Sequence, residues 1–141
     1  MLPVARGRKA DIRALDGALS KAPPAPAWLP PHGRAEWRRV LPTLVKQRKI
    51  ASNELGVVES YCVAVANMRA AQARIDEDGH FITSPTSGEL KRHPATTLLK
   101  EAIESARRLA AELGITPASR NKNEGGAPGD DSDDLPPGMA L

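Results

Sequence analysis

Apolar residues recur at helical spacing through most of the chain between residues 32 and 113. In the first such segment, about residues 32 to 48, they fall at i, i+3, i+4, i+7 and i+8, which places them on one helix face: Trp37, Val40, Leu41, Leu44 and Val45. Longer segments of the same kind cover about 53 to 78 and 94 to 113. The spacing predicts a mostly α fold with three main helices, of which the second and third form a long antiparallel pair.

Turn and capping residues separate the three segments. Ser52 or Asn53 is expected to cap the second helix, and Gly79 and Gly114 are suitable ends for the second and third. Residues 80 to 93 combine a strand-forming start with turn chemistry, so they predict a short hairpin or ordered loop. Pro42 lacks an amide donor, and the first helix is therefore expected to bend or restart there.

Proline and acidic residues mark the two ends of the helical region. Five prolines lie between residues 23 and 31, which excludes a helix there and favours extended backbone. Beyond residue 121 few apolar residues remain to offset the entropy of ordering the chain. The sequence thus predicts a flexible basic and proline-rich arm over 1–30, a helical domain over 31–122 and a disordered acidic tail over 123–141.

Only 3% of the residues are aromatic, so the core must be built mainly from Leu, Val, Ile and Ala. Small helical domains with so thin a core often gain the missing burial from a neighbouring subunit, which favours a homo-oligomer over a monomer. Eight large side chains are predicted to lie in the core or at a subunit interface: Trp37, Leu41, Leu44, Tyr61, Met68, Leu98, Ile103 and Leu109.

The net charge of +3 conceals a basic body and an acidic end. Residues 1 to 30 carry five Lys or Arg and two acids, residues 31 to 123 carry fifteen and ten, and residues 124 to 141 carry none and five. Lys and Arg supply the phosphate contacts of DNA-binding proteins, although the solvated face of an amphipathic helix has the same charges. The candidate DNA-binding residues form a first group, Arg34, Arg38, Arg39, Lys46, Arg48 and Lys49, and a second in the arm, Arg6, Arg8, Lys9 and Arg13.

The sequence lacks the motifs that mark several classes of enzyme and metal-binding protein. There is no GxxxxGK[ST], GxSxG, HExxH or EF-hand pattern, so we predict no catalytic residues, no cofactor and no metal site. Cys62 stands alone, and the three histidines are scattered as ordinary polar or capping residues. No segment matches a signal peptide or a bilayer span, which predicts a protein of the cytoplasm without a membrane partner.

The succession of elements resembles the small subunit of phage terminases over about residues 28 to 122. The most specific piece is LGITPASR, residues 113 to 120, which is similar to that family's closing motif. Weaker points of likeness are Trp37 after a proline-rich stretch, Tyr61 in the second helix, and Gly79 before an apolar pair. The chain departs from the family pattern at Ala51 and Glu54, where Thr and Asp are usual, and at His93, where Asn precedes the proline.

The resemblance implies a non-enzymatic subunit that forms a ring, recognises double-stranded viral DNA in the host bacterial cytoplasm, and hands it to the large terminase subunit. The alternative is a helical oligomeric scaffolding or interaction module whose basic charge is incidental. Binding of DNA across a salt series separates the two, because several phosphate contacts give a steep negative salt dependence. We also consider the hypothesis that the acidic tail competes with DNA for the basic surface.

Overall fold

A computed structural model describes residues 17–117. Within this range the chain forms three α-helices, a 3-10 turn and a two-stranded antiparallel hairpin: α1 (Pro31–Lys46), the turn (Ser52–Glu54), α2 (Leu55–Asp78), β1 (Phe81–Thr83), β2 (Leu90–Arg92) and α3 (Ala95–Glu112). The predicted mostly α fold is confirmed, and each helix boundary lies within two residues of its expected place. α1 continues through Pro42, which faces solvent, so the expected restart does not occur.

Glycines end α2 and α3 in the way the sequence predicts. Gly79 has φ of +83°, and its amide donates to the carbonyl of Ile75 over 2.7 Å. Gly114 has φ of +71°, and the following amide of Ile115 donates back to Ala110 over 3.0 Å. This is the left-handed turn that satisfies the last carbonyls of a helix, and it returns Ile115 to the core.

The start of α2 differs from its prediction. Neither Ser52 nor Asn53 caps the helix, because both lie in the 3-10 turn that precedes it. Instead a carboxylate oxygen of Glu54 accepts the backbone amide of Ala51 over 3.2 Å. This is one half of a capping box, in which an acid three residues along satisfies the free amide.

The core lies where α1 crosses the antiparallel pair of α2 and α3. Its largest fully buried side chains are Leu29, Leu41, Ile50, Val58 and Cys62. The α3 face toward α2 consists mainly of alanines, which lets the two long helices pack closely along their length. A second, smaller cluster closes the hairpin end of the pair through Ala71, Ile75 and Ala95.

A histidine joins the hairpin to both long helices. His93 is buried, and its Nδ1 accepts the amide of Ala95 over 3.0 Å at the start of α3. Nδ1 is therefore the ring nitrogen without hydrogen, and Nε2 donates to the carboxylate of Asp78 over 2.8 Å. This hydrogen bond, helped by the nearby Arg74, lowers the pKa of Asp78. The residue predicted to be an ordinary polar or capping histidine is a helix cap.

Residues 17–30, assigned from sequence to a flexible arm, contact the helical body as a strap. Its first end pairs beside the segment between α1 and α2, where the amide of Leu19 donates to Ile50 over 2.8 Å. Farther along, the indole of Trp37 donates to the carbonyl of Pro23 over 3.0 Å, and Leu29 is only 2% exposed. Prolines cannot donate, but their carbonyls still accept, so a proline-rich segment can be fixed by a donor from the body.

Candidate nucleic-acid interface

The solvent side of α1 carries a row of basic side chains. Arg38, Arg39 and Lys46 are exposed: Arg39 and Lys46 lie opposite the buried face of α1, and Arg38 lies at its border. Arg38 and Lys46 are eight residues apart, about 12 Å along the helix axis. The amphipathic pattern explains the placement, because the positions that the core does not use face solvent. We name Arg38, Arg39, Lys46 and the following Arg48 the basic ridge.

Arg48 continues the ridge beyond the end of α1 in an uncommon backbone conformation. It has φ of +53°, and among residues 17–117 it is the non-glycine residue with positive φ. Its amide donates to Val45 over 3.0 Å, and the amide of Lys49 donates to Leu44 over 3.1 Å, which closes the helix end. Glycine is the usual residue in this position, and a side chain there costs about 1–2 kcal/mol. The chain therefore holds an exposed arginine where glycine would be more stable.

Arg39 is the member of the ridge that has an acidic partner. Its guanidinium pairs with the carboxylate of Glu36, with Nε donating to Oε2 over 2.9 Å, while the Tyr61 hydroxyl donates to Oε1 over 2.7 Å. The hydrogen bond from Arg39 lowers the pKa of Glu36, whereas burial and the bond to Glu36 raise the pKa of Tyr61 to about 12. The three side chains join α1 to α2, so the net positive charge of the ridge comes mainly from Arg38, Lys46 and Arg48.

The remaining DNA-binding candidates stand apart from the ridge. Arg34 and Lys49 are half-buried near the two ends of α1. The arm residues Arg6, Arg8, Lys9 and Arg13 lie outside the described residues. However, the strap brings Ala18 beside Ala51, three residues after Arg48, so the arm joins the body at the end of the ridge.

The ridge suits a polyanion rather than a reacting substrate. Guanidinium and ammonium groups on a convex helix contact phosphates and fix orientation, while base reading requires a groove-seated element. Cys62, the single cysteine, does not contribute to this surface, because it lies in the core. Burial raises the pKa of its thiol to about 12. Its sequence pattern and burial are those of a core residue.

Comparison with known families identifies the chain's relatives. The profile of a family described as phage terminase, small subunit, matches residues 33–130. The chain belongs to this family. Its role accordingly lies in the packaging of phage DNA. Comparison with curated proteins gives no match, and neither does comparison with solved structures.

The terminase profile begins at Gly33 in the first turn of α1 and ends in the acidic segment at Asp130. Of the closing motif LGITPASR, the structure describes residues 113–117. Leu113 is buried and Ile115 packs against the same core, so this part of the motif closes the domain against α1 and α3. Residues 118–120 lie outside the described range.

The eight candidates for core or interface separate into three groups in this terminase subunit. Trp37, Leu41, Leu44 and Tyr61 are buried in the core. Met68 and Leu109 are partly buried against it. Leu98 and Ile103 are 59% and 46% exposed, so the folded chain by itself leaves these two uncovered.

Leu98 and Ile103 flank α3 on opposite sides. Leu98 borders a groove of about 630 Å³ between α2 and α3, whose apolar walls include Val63, Ala102 and Leu109. Ile103 lies on the other flank, in a shallower depression of about 380 Å³ with Leu99. The terminase subunit thus presents two different apolar surfaces on one helix.

The hairpin exposes further apolar side chains that sequence reasoning did not assign to a surface. Phe81 pairs with Arg92, and Thr83 with Leu90, so these four share one face. Phe81 is 60% exposed and Leu90 72% exposed. The alternation of side chains along a strand could have indicated that Phe81 and Leu90 are exposed. Each has a polar neighbour in sequence, and strands this short cannot bury a face. Within residues 17–117, no helix has the length and apolar content of a bilayer span.

Proposed function

We propose that this chain is a non-catalytic small terminase subunit that assembles into a homo-oligomeric ring and binds double-stranded viral DNA through the basic ridge of α1. The observation that carries the proposal is the exposure of Arg38 and Lys46 on α1 and of Arg48 just beyond its end in a chain of this family. The described chain begins beside the end of this ridge, where Ala18 pairs with Ala51, and this supports a contribution of the arm residues to DNA binding. The ring delivers the bound DNA to the large subunit.

DNA affinity measured across a salt series tests the ridge. Each phosphate contact contributes about 0.9 to the slope of log affinity against log salt. Replacing Arg38 and Lys46 together by alanine should therefore reduce the slope by about 1.8 and weaken binding at low salt. The matched control replaces Arg92 of the hairpin and Arg108 of α3, two exposed basic residues outside the ridge, by alanine and should leave the slope unchanged.

Arg48→Gly provides a variant in which binding and stability change in opposite directions. Glycine relieves the positive φ, so the free energy of unfolding should stay equal or rise by up to about 1 kcal/mol. DNA binding should nevertheless weaken, because a phosphate contact is lost. Weak DNA binding with a shallow salt dependence in the parent chain would favour the scaffolding alternative, in which the charge is incidental.

Oligomerisation is supported by the two uncovered flanks of α3. A ring needs two different surfaces that fit each other on neighbouring copies, since a head-to-tail contact must close by rotation. Leu98 with its groove and Ile103 on the opposite flank meet that requirement. Contact between subunits would also bury these exposed side chains and so add to the small apolar core of each chain.

Native mass spectrometry tests the two flanks. Leu98→Asp and Ile103→Asp should each shift the assembly toward monomer, because a charge would be buried in an apolar contact. Arg108→Asp, at an exposed position of the same helix that borders neither depression, is the matched control and should keep the assembly. Unchanged assembly in both flank variants would place the interface elsewhere. The large subunit is proposed to engage the acidic tail, and co-purification with and without residues 123–141 tests that contact.

A further inference from the structure

We infer that the acidic tail, residues 123–141, binds the basic ridge of its own subunit and competes there with DNA. The inference rests on the proposed DNA-binding role of the ridge and adds to it a means of regulation within the chain. The tail acts as a polyanion with the charge pattern of the ligand that it displaces.

The charges of the two segments complement each other. Residues 34 to 49 carry six Lys or Arg and one acid, and that acid, Glu36, is engaged by Arg39 and Tyr61. The tail carries five acids and no Lys or Arg, and four of the acids fall within residues 130–134. Fully extended, those five residues span about 14 Å between the first and last. Arg38 and Lys46 are about 12 Å apart along α1, so the two rows of charge have matching length.

The end of the described chain lies beside the ridge. After Gly114 turns the chain, Ile115 lies in a depression that Val40, Leu44 and Gln47 of α1 also line, together with Arg39 of the ridge. The described chain therefore ends beside the C-terminal half of α1 rather than at the hairpin end of the molecule.

The connecting chain is long enough for the contact. Twelve residues lie between Pro117 and Asp130, and the thirteen steps from one to the other can reach up to about 45 Å. The whole of α1 is about 24 Å long, so each ridge position is within reach. A tether of this length gives the tail an effective concentration on the order of millimolar, enough for a weak charge contact to compete with DNA.

The first test does not involve DNA. Acetylation of Lys46 by an amine-reactive reagent is compared, by mass spectrometry, between the full chain and a full chain with Asp130, Asp131, Asp133 and Asp134 changed to Asn. Lys46 should react several-fold more slowly in the parent at low salt, and the difference should vanish at about 1 M salt, where screening acts within about 3 Å. Lys100 on α3 is the internal control and should react equally in both chains.

The second test measures DNA affinity of the same chains. Neutralising the tail should tighten binding about fivefold at low ionic strength, with little effect once salt screens the contact. A matched control changes four exposed acids of the body to Gln: Glu89, Glu101, Glu104 and Glu112. It removes the same charge from the molecule, so an equal gain in affinity would mean that general repulsion acts, and the inference would be overturned.

The two tests together separate the inference from the proposed function. Protection of Lys46 with tighter DNA binding after tail neutralisation supports both. Protection of Lys46 in a chain that binds no DNA supports the contact between tail and ridge and refutes the DNA-binding role. Unprotected Lys46 with unchanged DNA affinity overturns the inference and leaves DNA binding by the ridge intact.

Discussion

Gly33 lies where α1 packs against the backbone of α2, and replacing it by alanine gives a sharp test of the packing. A Cβ at position 33 would lie 3.1 Å from the carbonyl oxygen of Cys62 and 3.6 Å from the Pro30 side chain. The oxygen belongs to the backbone of α2 and cannot rotate away. The two helices would have to separate by a few tenths of an ångström, which disturbs the core on both sides of the crossing.

Two effects of opposite sign determine the size of the change. Alanine is favoured over glycine inside a helix by about 1 kcal/mol. Forcing an extra group into a well-packed contact costs about 1–3 kcal/mol. Gly56, in the first turn of α2, isolates the first effect because a Cβ there meets nothing within 4 Å. Gly56→Ala should thus be stabilising by up to about 1 kcal/mol, and Gly33→Ala should be less stable than it by about 1–3 kcal/mol.

Urea denaturation followed by far-ultraviolet circular dichroism measures both variants at equal protein concentration, since an oligomer's stability depends on concentration. In a thermal scan, 1 kcal/mol corresponds to about 4–8 °C for a domain of this size. The reasoning is refuted if Gly33→Ala raises the midpoint as much as Gly56→Ala does. That result would mean that the helix crossing has room for a methyl group.

Three further predictions concern the strap, the histidine cap and the buried thiol. Trp37→Phe removes the donor to Pro23, so it should cost about 1 kcal/mol and speed hydrogen exchange in residues 17–30, and unchanged exchange there would show that other contacts hold the strap. Because His93 lowers the pKa of Asp78 in the folded state, the stability from this bond is complete above the unfolded pKa of about 3.9 and is lost as pH falls through the lower folded value. Asp78→Asn should therefore be less stable than the parent at pH 7, and the difference should shrink as the pH falls below about 3.9; a constant difference in pH-dependent urea titrations contradicts this. Cys62 should resist a maleimide at pH 8 until urea unfolds the chain, and fast labelling of the folded protein would disagree with its burial.

Much of the fold follows from local signals in the sequence. Helical spacing and glycine stops placed each helix end within two residues, because both act over one or two turns. The hairpin was likewise expected, and its turn chemistry set the place where the chain reverses. At His93 a different residue type performs the same local function. Its Nδ1 accepts the first amide of α3, and the side chain of the asparagine that is usual in this family can do the same at a helix start.

The rest depended on partners distant in sequence. Nothing near Pro23 indicates that the indole of Trp37, fourteen residues later, donates to its carbonyl, so a segment with the composition of a flexible arm is held as a strap. Periodicity placed Arg38, Arg39 and Lys46 on the solvent side of α1 correctly. It could not reveal that Glu36 and Tyr61 engage Arg39, since that link is formed only when α1 meets α2.

Both ends of the described chain leave the molecule at the same end of the helix pair. Ala18 lies beside Ala51, and Ile115 lies beside the last turns of α1, whereas the hairpin lies at the far end of α2, about 36 Å away. Cyclic symmetry orients all copies alike. In the proposed ring, with α2 along the axis, every Ala18 and every Ile115 would lie toward one rim and every hairpin toward the other. Such a ring would be polar, so its two rims would offer different surfaces to a partner, which would always meet DNA from the same side.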